Sequence, residues 1–342
     1  MDITPSLLQL SRGLPLDEQA TAGLFSGVLA GELTPAQIGA VLGMLAVRGP
    51  TTDELVGAAR VMRAHAERVP RPALPRIILD TCGTGGAPKT FNVSTIAALA
   101  VAAAAPGRVG VAKHGNRSRT GRGSAEILGA MGVNVDATPR VQSRCLERAG
   151  VCFCFAIHHH PAARHAGPAR RELGFQTIFN LLGPLTNPAG AEHQLLGVYD
   201  RRFARPVAEA LARLGSVRAM VVHSRDGLDE ISIAAPTDVW ELRDGRIREW
   251  TLEPTELGVK RSPLESVTAS DLAHATSMAR SILDGSPSPA AEMVALNAAA
   301  ALAVTDVVGS LSEGLKLSRE ALASGRAREV LTRLAELSLM PA

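Results

Sequence analysis

Apolar residues in the first seventy positions recur at the spacing of α-helices. A helix is predicted to begin at Thr34-Pro35, because proline is favoured at the first helical position. Its apolar stripe consists of Ile38, Val41, Leu42 and Leu45. Thr51, followed three residues later by Glu54, predicts a capping box at the start of the next helix. The proline-rich stretch 69–75 then interrupts the helical pattern and predicts a linker.

From Arg76 onward the pattern changes, and short β-branched runs alternate with helical segments. The predicted strands cover 77–79, 109–112, 152–157, 195–199 and 220–223. This alternation predicts an α/β fold whose central, mostly parallel sheet is flanked by helices. Asp244-Gly245 lies between the runs 239–242 and 247–252 and predicts a hairpin. From Asp271 to the last residue the pattern is helical again.

Composition and charge narrow the class of protein. The 342 residues are 46% hydrophobic but only 3% aromatic, so the core is expected to consist mainly of Ala, Leu and Val. The formal net charge is +3, and arginines are scattered among acidic residues. Such a surface is typical of a solvated protein and argues against a nucleic-acid partner. Because no signal peptide or membrane-spanning segment is evident, a cytoplasmic protein with no membrane partner is expected.

The four cysteines lack the spacing of a zinc site and the density of a disulfide scaffold. Cys152 and Cys154 alternate within an apolar run. Because side chains two residues apart on a strand point the same way, both are predicted to lie on one face of a buried strand.

The first candidate site is the turn Gly83-Thr84-Gly85-Gly86, which precedes a helix predicted to begin near Asn92. Glycines let the backbone approach a ligand and adopt positive φ, which turns N–H groups toward an anion. The N-terminus of the following helix also attracts phosphate. The turn lacks the dinucleotide-binding and P-loop patterns, which argues against those cofactors. The alternative is a tight connection without a ligand.

Two further clusters complement this turn. The segment 113–118 follows a predicted strand, at the edge where α/β sheets bind ligands, and Lys113 and Arg117 can neutralise phosphates. The basic, glycine-containing loop 119–124 follows and can close over a polyanion. Asp229-Glu230 offers adjacent carboxylates suited to Mg²⁺, with a solvated acidic turn as the alternative. A substrate that carries phosphates and Mg²⁺ would satisfy all three sites.

Together these motifs resemble those of the anthranilate phosphoribosyltransferase family. The resemblance rests on the segments 83–86, 90–95, 113–117, 170–174, 177–188 and 226–230, in order over nearly the whole chain. It implies a small helical domain, residues 1–72 with about 163–190, and a large α/β domain, residues 76–160 with about 191–342. It also implies that a helix near 163–182 returns to the N-terminal helices, and that the chain forms a homodimer.

By this resemblance the chain transfers a phosphoribosyl group from 5-phosphoribosyl 1-diphosphate to anthranilate in tryptophan biosynthesis, with Mg²⁺ as cofactor. The residues implied for phosphoribosyl diphosphate are Gly83, Gly85, Gly86, Lys89, Thr90, Asn92, Val93, Ser94, Thr95, Lys113, His114, Gly115, Asn116, Arg117, Ser118 and Ser124. Those implied for anthranilate are Gly83, Asn116 and Arg170, and those implied for Mg²⁺ are Ser94, Asp229 and Glu230. The acceptor is a neutral amine with a free lone pair at pH 7, so no covalent nucleophile is expected.

The chain departs from the family pattern in three loops. Ala87 stands where Asp is usual, in a loop one residue short, and Lys89 can compensate with its charge. The loop 119–122 carries arginines where small serines are common. Ile157 stands where proline is frequent, just before three consecutive histidines at 158–160. Successive side chains cannot easily converge on one metal ion, so a loop at the edge of the acceptor channel is favoured over a metal site.

Two alternatives remain open at this point. The changed loops motivate a related phosphoribosyltransferase or nucleoside phosphorylase with a different acceptor. A non-catalytic, nucleic-acid-binding relative would instead predict a basic patch and loss of the metal-binding carboxylates. Asp229 and Glu230 are present and the net charge is only +3, which disfavours that second alternative.

Overall fold

The computed structural model describes residues 2–75, 77–88, 90–118 and 121–341. Within these ranges seven strands form one sheet. Their bounds are β1 Ile77–Gly83, β2 Val109–Gly115, β3 Val151–Phe155, β4 His193–Gly197, β5 Arg218–Ser224, β6 Thr237–Arg243 and β7 Arg246–Leu252. The order across the sheet is β3-β2-β1-β4-β5-β6-β7, in which the pairs β5–β6 and β6–β7 are antiparallel and the other four pairs are parallel. The predicted α/β class with a mostly parallel sheet is confirmed.

Fifteen α-helices accompany the sheet in the described ranges. They are α1 Thr4–Ser11, α2 Glu18–Ala30, α3 Pro35–Arg48, α4 Thr52–Ala64, α5 Val93–Ala104, α6 Ser124–Ala130, α7 Pro139–Ala149, α8 Ala156–His159, α9 Gly167–Leu173, α10 Ile178–Leu182, α11 Ala204–Arg213, α12 Leu272–Leu283, α13 Pro289–Val304, α14 Leu311–Ala323 and α15 Arg326–Ser338. Across the described residues, none of these helices is both long and apolar enough to cross a bilayer.

The direction in which the sheet grows reverses at β1. From β1 the chain runs outward through β2 to β3, and it then continues on the other side of β1 through β4 and β5. The carboxyl ends of β1 and β4 therefore flank the switch point where open α/β sheets bind ligands. At that edge Gly83 pairs with Gly197, and β2 also ends in a glycine, Gly115.

The predicted hairpin between β6 and β7 is confirmed. Asp244 and Gly245 form its two-residue turn, with φ angles of 52° and 71°. These left-handed conformations match the twist of antiparallel strands, and Asp-Gly adopts them readily. Arg243 and Arg246 then face each other as the first pair of the ladder.

The predicted starts of the two N-terminal helices are also confirmed. Thr34 is the N-cap of α3, with Pro35 in its first turn. Thr51 and Glu54 form the expected capping box of α4. The Glu54 carboxylate additionally accepts a hydrogen bond from Leu16 N at 3.0 Å. This carboxylate is fully buried, so it links the start of α4 to the loop before α2.

The sheet separates two apolar clusters. Along β5, Met220 and Val222 face the first cluster, while Ala219 and Val221 face the second. The first cluster is built on α5, α13, α14 and α15. The second contains α2, α3 and α4 together with α10 and α11. The N-terminal helices therefore share a core with one face of the sheet.

The single helix expected near 163–182 is wrong. The chain there forms a 3₁₀ helix at Pro161–Ala166, followed by α9 and α10. Gly174, with φ 70°, ends α9 in the left-handed conformation, and Thr177 starts α10 as its N-cap. The three pieces nevertheless pack against the N-terminal helices as expected, since the 3₁₀ helix contacts α2, α9 contacts α3, and α10 contacts α4.

Cys152 and Cys154 lie on one face of β3, as predicted. Their sulfur atoms are 3.8 Å apart, and both side chains are buried. Cys82 and Cys145 are also buried, and all four cysteines are free thiols. These side chains act as small apolar groups of the core.

Candidate active site

The glycine turn after β1 is fixed by contacts with the end of β4. Thr84 N donates to Gly197 O at 2.9 Å, and Tyr199 N donates to the Thr84 hydroxyl at 2.9 Å. Gly85 and Gly86 follow with φ angles of 67° and 101°. Side chains strongly disfavour these conformations, so glycine is required for the turn to expose its amides.

Asp229 approaches the same turn from the acidic loop after β5. Gly85 N donates to Asp229 Oδ2 at 3.0 Å. A Cβ atom on Gly83 would lie 2.5 Å from that oxygen, and a Cβ atom on Gly197 would collide with the Asp229 backbone carbonyl. Glycine at both strand ends is therefore what allows a carboxylate to reach the glycine turn.

Glu230 faces the N-terminus of α5. Its carboxylate accepts hydrogen bonds from the Thr90 hydroxyl at 2.9 Å and from Ser94 N at 3.3 Å. Asn92 precedes the helix in the left-handed conformation, with φ 72°. The first free amides of α5 consequently point toward the acidic loop, where a helix N-terminus favours negative charge.

The neighbouring carboxylates of Asp229 and Glu230 concentrate negative charge in this cleft. Desolvation raises the pKa of Glu230 to about 7, and the charge of Asp229 raises it as well, against the hydrogen bonds from Thr90 and Ser94. In the described ranges no three His, Cys, Asp or Glu side chains are grouped to hold a metal ion. A cation here would therefore need further oxygen ligands, such as the Ser94 hydroxyl, water or a phosphate. That set is the one Mg²⁺ commonly takes in phosphate sites.

The Lys113 ammonium lies behind Ser94. It donates to Thr81 O at 2.6 Å and to the Ser94 hydroxyl at 3.2 Å. Desolvation lowers the pKa of Lys113, and the negative charge of Asp80 is the largest effect that opposes it. Lys113 therefore places a buried positive charge under the start of α5.

Asp80 has a clear structural role that the sequence interpretation left unassigned. It is fully buried in β1, and its Oδ1 accepts a hydrogen bond from His114 N at 3.1 Å. Desolvation raises the pKa of Asp80, while the Lys113 charge lowers it. The available signal was a carboxylate directly after the apolar run 77–79, because a buried charge is rare unless it is paired.

His114 turns away from the glycine turn. Its Nδ1 lies 3.0 Å from Gly183 O, and its ring centroid is 5.2 Å from that of His160. Because a carbonyl only accepts, Nδ1 carries the proton. Burial lowers the pKa of His114 well below its usual range, and the nearby His160 acts in the same direction. The imidazole is therefore neutral at pH 7.

The loop after β2 folds back on itself beyond Gly115. Arg117 N donates to Asn116 Oδ1 at 2.8 Å, and the Ser124 hydroxyl donates to Asn116 O at 3.3 Å. A Cβ atom on Gly115 would collide with that hydroxyl. Ser118 lies in the same loop, while the Asn116 and Arg117 side chains are exposed. Both exposed side chains are thus available to a ligand above the strand ends.

The second basic loop reaches the start of α5. Asn92 Nδ2 donates to Arg122 O at 3.0 Å, and the Arg122 guanidinium donates to the Ala269 carbonyl. Val93 and Thr95 are buried, so their side chains face the core. Of the predicted residues, Lys89 lies outside the described residues, as do two positions of the short loop, Arg119 and Thr120.

Arg170 lies on α9, in the segment that packs against the N-terminal helices. Its guanidinium carbon is 4.9 Å from the centroid of the Phe179 ring. Desolvation lowers the pKa of Arg170. A planar guanidinium can form two parallel hydrogen bonds to a carboxylate, so Arg170 is a candidate ligand for one.

The three consecutive histidines diverge to three partners. His158 Nε2 lies 2.7 Å from Asp136 Oδ1, and His159 Nδ1 lies 2.6 Å from Glu67 O. The third, His160, has its Nε2 3.4 Å from the Thr186 hydroxyl. This divergence agrees with the interpretation of the segment as a loop rather than a metal site.

Direct contacts thus bring together most of the residues predicted on the glycine turn, α5, β2 and the acidic loop. The connected set is Gly83, Gly85, Thr90, Ser94, Lys113, Asp229 and Glu230. Sequence interpretation also missed Gln176 and Asn180, which reach the glycine turn from the α9–α10 segment. Asn180 lies in the segment 177–188 that carries the family resemblance, whereas Gln176 lies between the recognised segments, and no sequence signal pointed to either contact.

Comparison with known proteins agrees with this arrangement. Residues 4–66 match a family described as the helical bundle domain of a glycosyl transferase family, and residues 75–328 match its a/b domain. The structure is similar to a crystal structure of anthranilate phosphoribosyltransferase from Thermus thermophilus, with a TM-score of 0.91 and 40% identity. That similarity covers 99% of this chain and 100% of the other.

A similar fold and a similar sequence also occur in other relatives. The yeast anthranilate phosphoribosyltransferase, solved with PRPP and Mg, has a TM-score of 0.87 at 24% identity, with 98% of each chain covered, and supports the fold. An anthranilate phosphoribosyltransferase from Thioalkalivibrio sulfidiphilus is 50% identical over 336 residues, or 98% of each chain. The chain therefore belongs to the anthranilate phosphoribosyltransferase family.

Proposed function

We propose that the chain transfers the phosphoribosyl group of 5-phosphoribosyl 1-diphosphate to the amine of anthranilate. The products are N-(5-phosphoribosyl)anthranilate and diphosphate, as in tryptophan biosynthesis. The observation that carries the proposal is the meeting of the glycine turn, the N-terminus of α5 and Asp229-Glu230 at the switch point of the sheet. Identity of 50% over 98% of the chain to a named relative supports it.

The donor site combines amides with buried and exposed cations. We assign phosphoribosyl diphosphate to Gly83, Gly85, Gly86, Lys89, Thr90, Asn92, Val93, Ser94, Thr95, Lys113, His114, Gly115, Asn116, Arg117, Ser118 and Ser124. The buried members Val93 and Thr95 would act through their backbone amides. Lys113 would add its positive charge from beneath the start of α5, where its ammonium donates to the Ser94 hydroxyl. N–H groups that are already oriented stabilise developing negative charge without reorganising during the reaction.

The residues present fit Mg²⁺. Asp229 and Glu230 supply carboxylates, the Ser94 hydroxyl lies at the same helix N-terminus, and the raised pKa of Glu230 marks charge that a cation would balance. When bound, Mg²⁺ supplies charge neutralisation on the departing diphosphate. The protein holds the two carboxylates in place through Gly85 N, Thr90 and Ser94 N.

The acceptor site is proposed to lie between Arg170, Asn116 and Gly83. Arg170 would bind the anthranilate carboxylate, and the exposed Asn116 would contact the acceptor above the strand end. The bond from ribose C1 to the diphosphate oxygen breaks as the bond from C1 to the amine nitrogen forms, diphosphate leaves, and the amine then loses a proton to water. Catalysis consists of positioning and charge stabilisation, and no covalent nucleophile is needed.

Loss of anthranilate fluorescence on addition of phosphoribosyl diphosphate and Mg²⁺ tests the proposal. We expect full conversion with wild-type protein and none when the metal is chelated. Inorganic phosphate with nucleosides, and other aromatic amines with phosphoribosyl diphosphate, serve as competing substrates. Turnover of one of these alone, without anthranilate consumption, would overturn the assigned acceptor.

The two-domain division is proposed as 1–72 with about 163–190, and 76–160 with about 191–342. Packing of α9 on α3 and of α10 on α4 supports the return of the middle segment to the N-terminal helices. The matches to the family's helical bundle domain over 4–66 and to its a/b domain over 75–328 agree with the first boundary. Limited proteolysis tests the division, with early cleavage expected near 66–75 or 161–167.

We also propose that the chain is a cytoplasmic homodimer. Leu8 on α1 and Val47 on α3 are 53% and 86% exposed, and α1 packs against α3. Exposed apolar side chains on adjacent helices favour association with a second copy. Sedimentation velocity should give a mass of twice 35.7 kDa, and Val47→Glu should shift the protein toward monomer.

A further inference from the structure

The segment between α9 and α10 covers the glycine turn. Gly86 has no side chain, and a Cβ atom there would lie 2.8 Å from Gln176 Nε2 and 3.3 Å from Gln176 Cγ. The Gln176 side chain therefore lies directly against the Gly86 backbone. At neighbouring Gly85 a Cβ atom would meet no described atom within 4 Å. The contact is specific to one side of the turn.

A second contact from the same segment holds the turn's carbonyl. Asn180 Nδ2 lies 3.4 Å from Thr84 O, and Asn180 Oδ1 accepts from Thr177 N at 3.1 Å. Asn180 thus connects the N-terminus of α10 with Thr84. Because Thr84 is already bound to the end of β4 through its amide and hydroxyl, this third contact completes its restraint.

The same segment carries the proposed acceptor residue. Arg170 lies six residues before Gln176, and Gly174 and Phe175 separate α9 from the contact. Phe175 is 48% exposed, whereas the Gln176 side chain packs onto the turn. Because two residues separate the end of α9 from Gln176, a movement of α9 would be transmitted to the glycine turn.

We infer that Gln176 and Asn180 are positioning residues, which hold the glycine turn in its binding conformation and connect it to the Arg170 helix. The inference rests on the proposed function, since it concerns the phosphoribosyl diphosphate site. Without the Gln176 side chain, Gly86 is free to sample conformations in which its amide points elsewhere. The loss then appears in donor binding, because the turn must be ordered again each time a ligand binds.

The experiment compares Gln176→Ala with Gln176→Met in steady-state kinetics and in calorimetric binding of phosphoribosyl diphosphate with Mg²⁺. Because the turn must be ordered on binding, Gln176→Ala should raise the KM and Kd for phosphoribosyl diphosphate about tenfold, which corresponds to about 1.4 kcal/mol, with kcat changed less than about threefold. Methionine has a similar length and still covers Gly86, so Gln176→Met should restore both values to within about twofold of wild type.

Asn180→Asp gives a second, independent variant. It keeps the oxygen that accepts from Thr177 N and removes the amide donor to Thr84 O. We expect the same increase in KM with little change in Tm. Glu172→Gln, on the exposed side of α9, is the matched control and should leave all parameters unchanged.

Each outcome separates the inference from the proposed function. Wild-type protein that neither binds phosphoribosyl diphosphate nor consumes anthranilate contradicts the proposed function itself. Active wild type with unchanged KM in both Gln176→Ala and Asn180→Asp overturns the inference. A uniform loss of activity that follows Tm and is not restored by methionine overturns it as well, since it indicates a purely structural role.

Discussion

Gly85 N donates a hydrogen bond to Asp229 Oδ2 at 3.0 Å, so a turn shaped for an anion already contacts a carboxylate. Glu230 makes a similar contact with Ser94 N at 3.3 Å. Two sets of amides thus face the acidic loop rather than open solvent. Binding of a diphosphate here requires that the carboxylates take another partner, which a divalent cation provides.

Proton release should accompany metal binding at low pH. Glu230 has a pKa of about 7 in the protein, and a bound cation requires its ionised form. Mg²⁺ binding should therefore release about 0.9 proton at pH 6 and about 0.1 proton at pH 8, and affinity should rise as pH increases toward 7. Calorimetry in buffers of different ionisation enthalpy measures this number. No release at pH 6 would contradict the role of Glu230.

The same group should make the metal-free protein less stable at alkaline pH. The pKa of Glu230 is about 7 in the folded state against a model value of 4.5, so between these values the folded state holds a proton that the unfolded chain lacks. The free energy of unfolding therefore falls as pH rises through this window. Glu230→Gln should raise Tm at pH 8 by about 3 °C or more and change it little at pH 5. Glu265→Gln, at an exposed position, should show no such pH dependence.

Removal of the Asp80 charge should shift the pH profile. Asp80→Asn keeps an oxygen for His114 N but removes the negative charge that raises the pKa of Lys113. The pKa of Lys113 then falls further, and its positive charge is lost at lower pH. The alkaline limb of kcat/KM should move to lower pH, with activity near pH 6.5 within about threefold of wild type. An unshifted alkaline limb would show that this pair does not control the activity.

Replacement of Arg170 should affect the acceptor alone. Lysine keeps the charge but loses the planar pair of donors and the stacking on Phe179. Arg170→Lys should raise the KM for anthranilate about 10- to 50-fold, because charge-assisted bidentate hydrogen bonds are among the strong ones. The KM for phosphoribosyl diphosphate should stay within about twofold. Arg171→Lys on the exposed side of the same helix is the control.

Local signals in the sequence predicted the elements that depend on local chemistry. The Asp244-Gly245 hairpin and the capping box at Thr51 were predictable, because the residue types dictate the backbone there. The strand predicted over 152–157 was too long, because α8 begins at Ala156. β1 was predicted too short, since it continues through the polar residues Asp80 and Thr81 to Gly83. Those residues pair with partners distant in sequence, which periodicity does not report.

Contacts between segments that are distant in the chain could not be predicted from the sequence. Lys113 was assigned to a ligand, yet its side chain points inward to Thr81 O. Gln176 lies about ninety residues from Gly86, and no pattern links the two. The resemblance to a family identified which segments converge, while the structure identified the atoms that meet.

Strands β1, β2 and β4 each end in a glycine. The floor of the cleft therefore consists of peptide groups rather than side chains. Each position is closed to substitution by a neighbouring segment, Asp229 at Gly83 and Gly197, and Ser124 at Gly115. Mutational scanning should find this floor almost invariant. Changes in substrate preference would then have to arise in the loops above it.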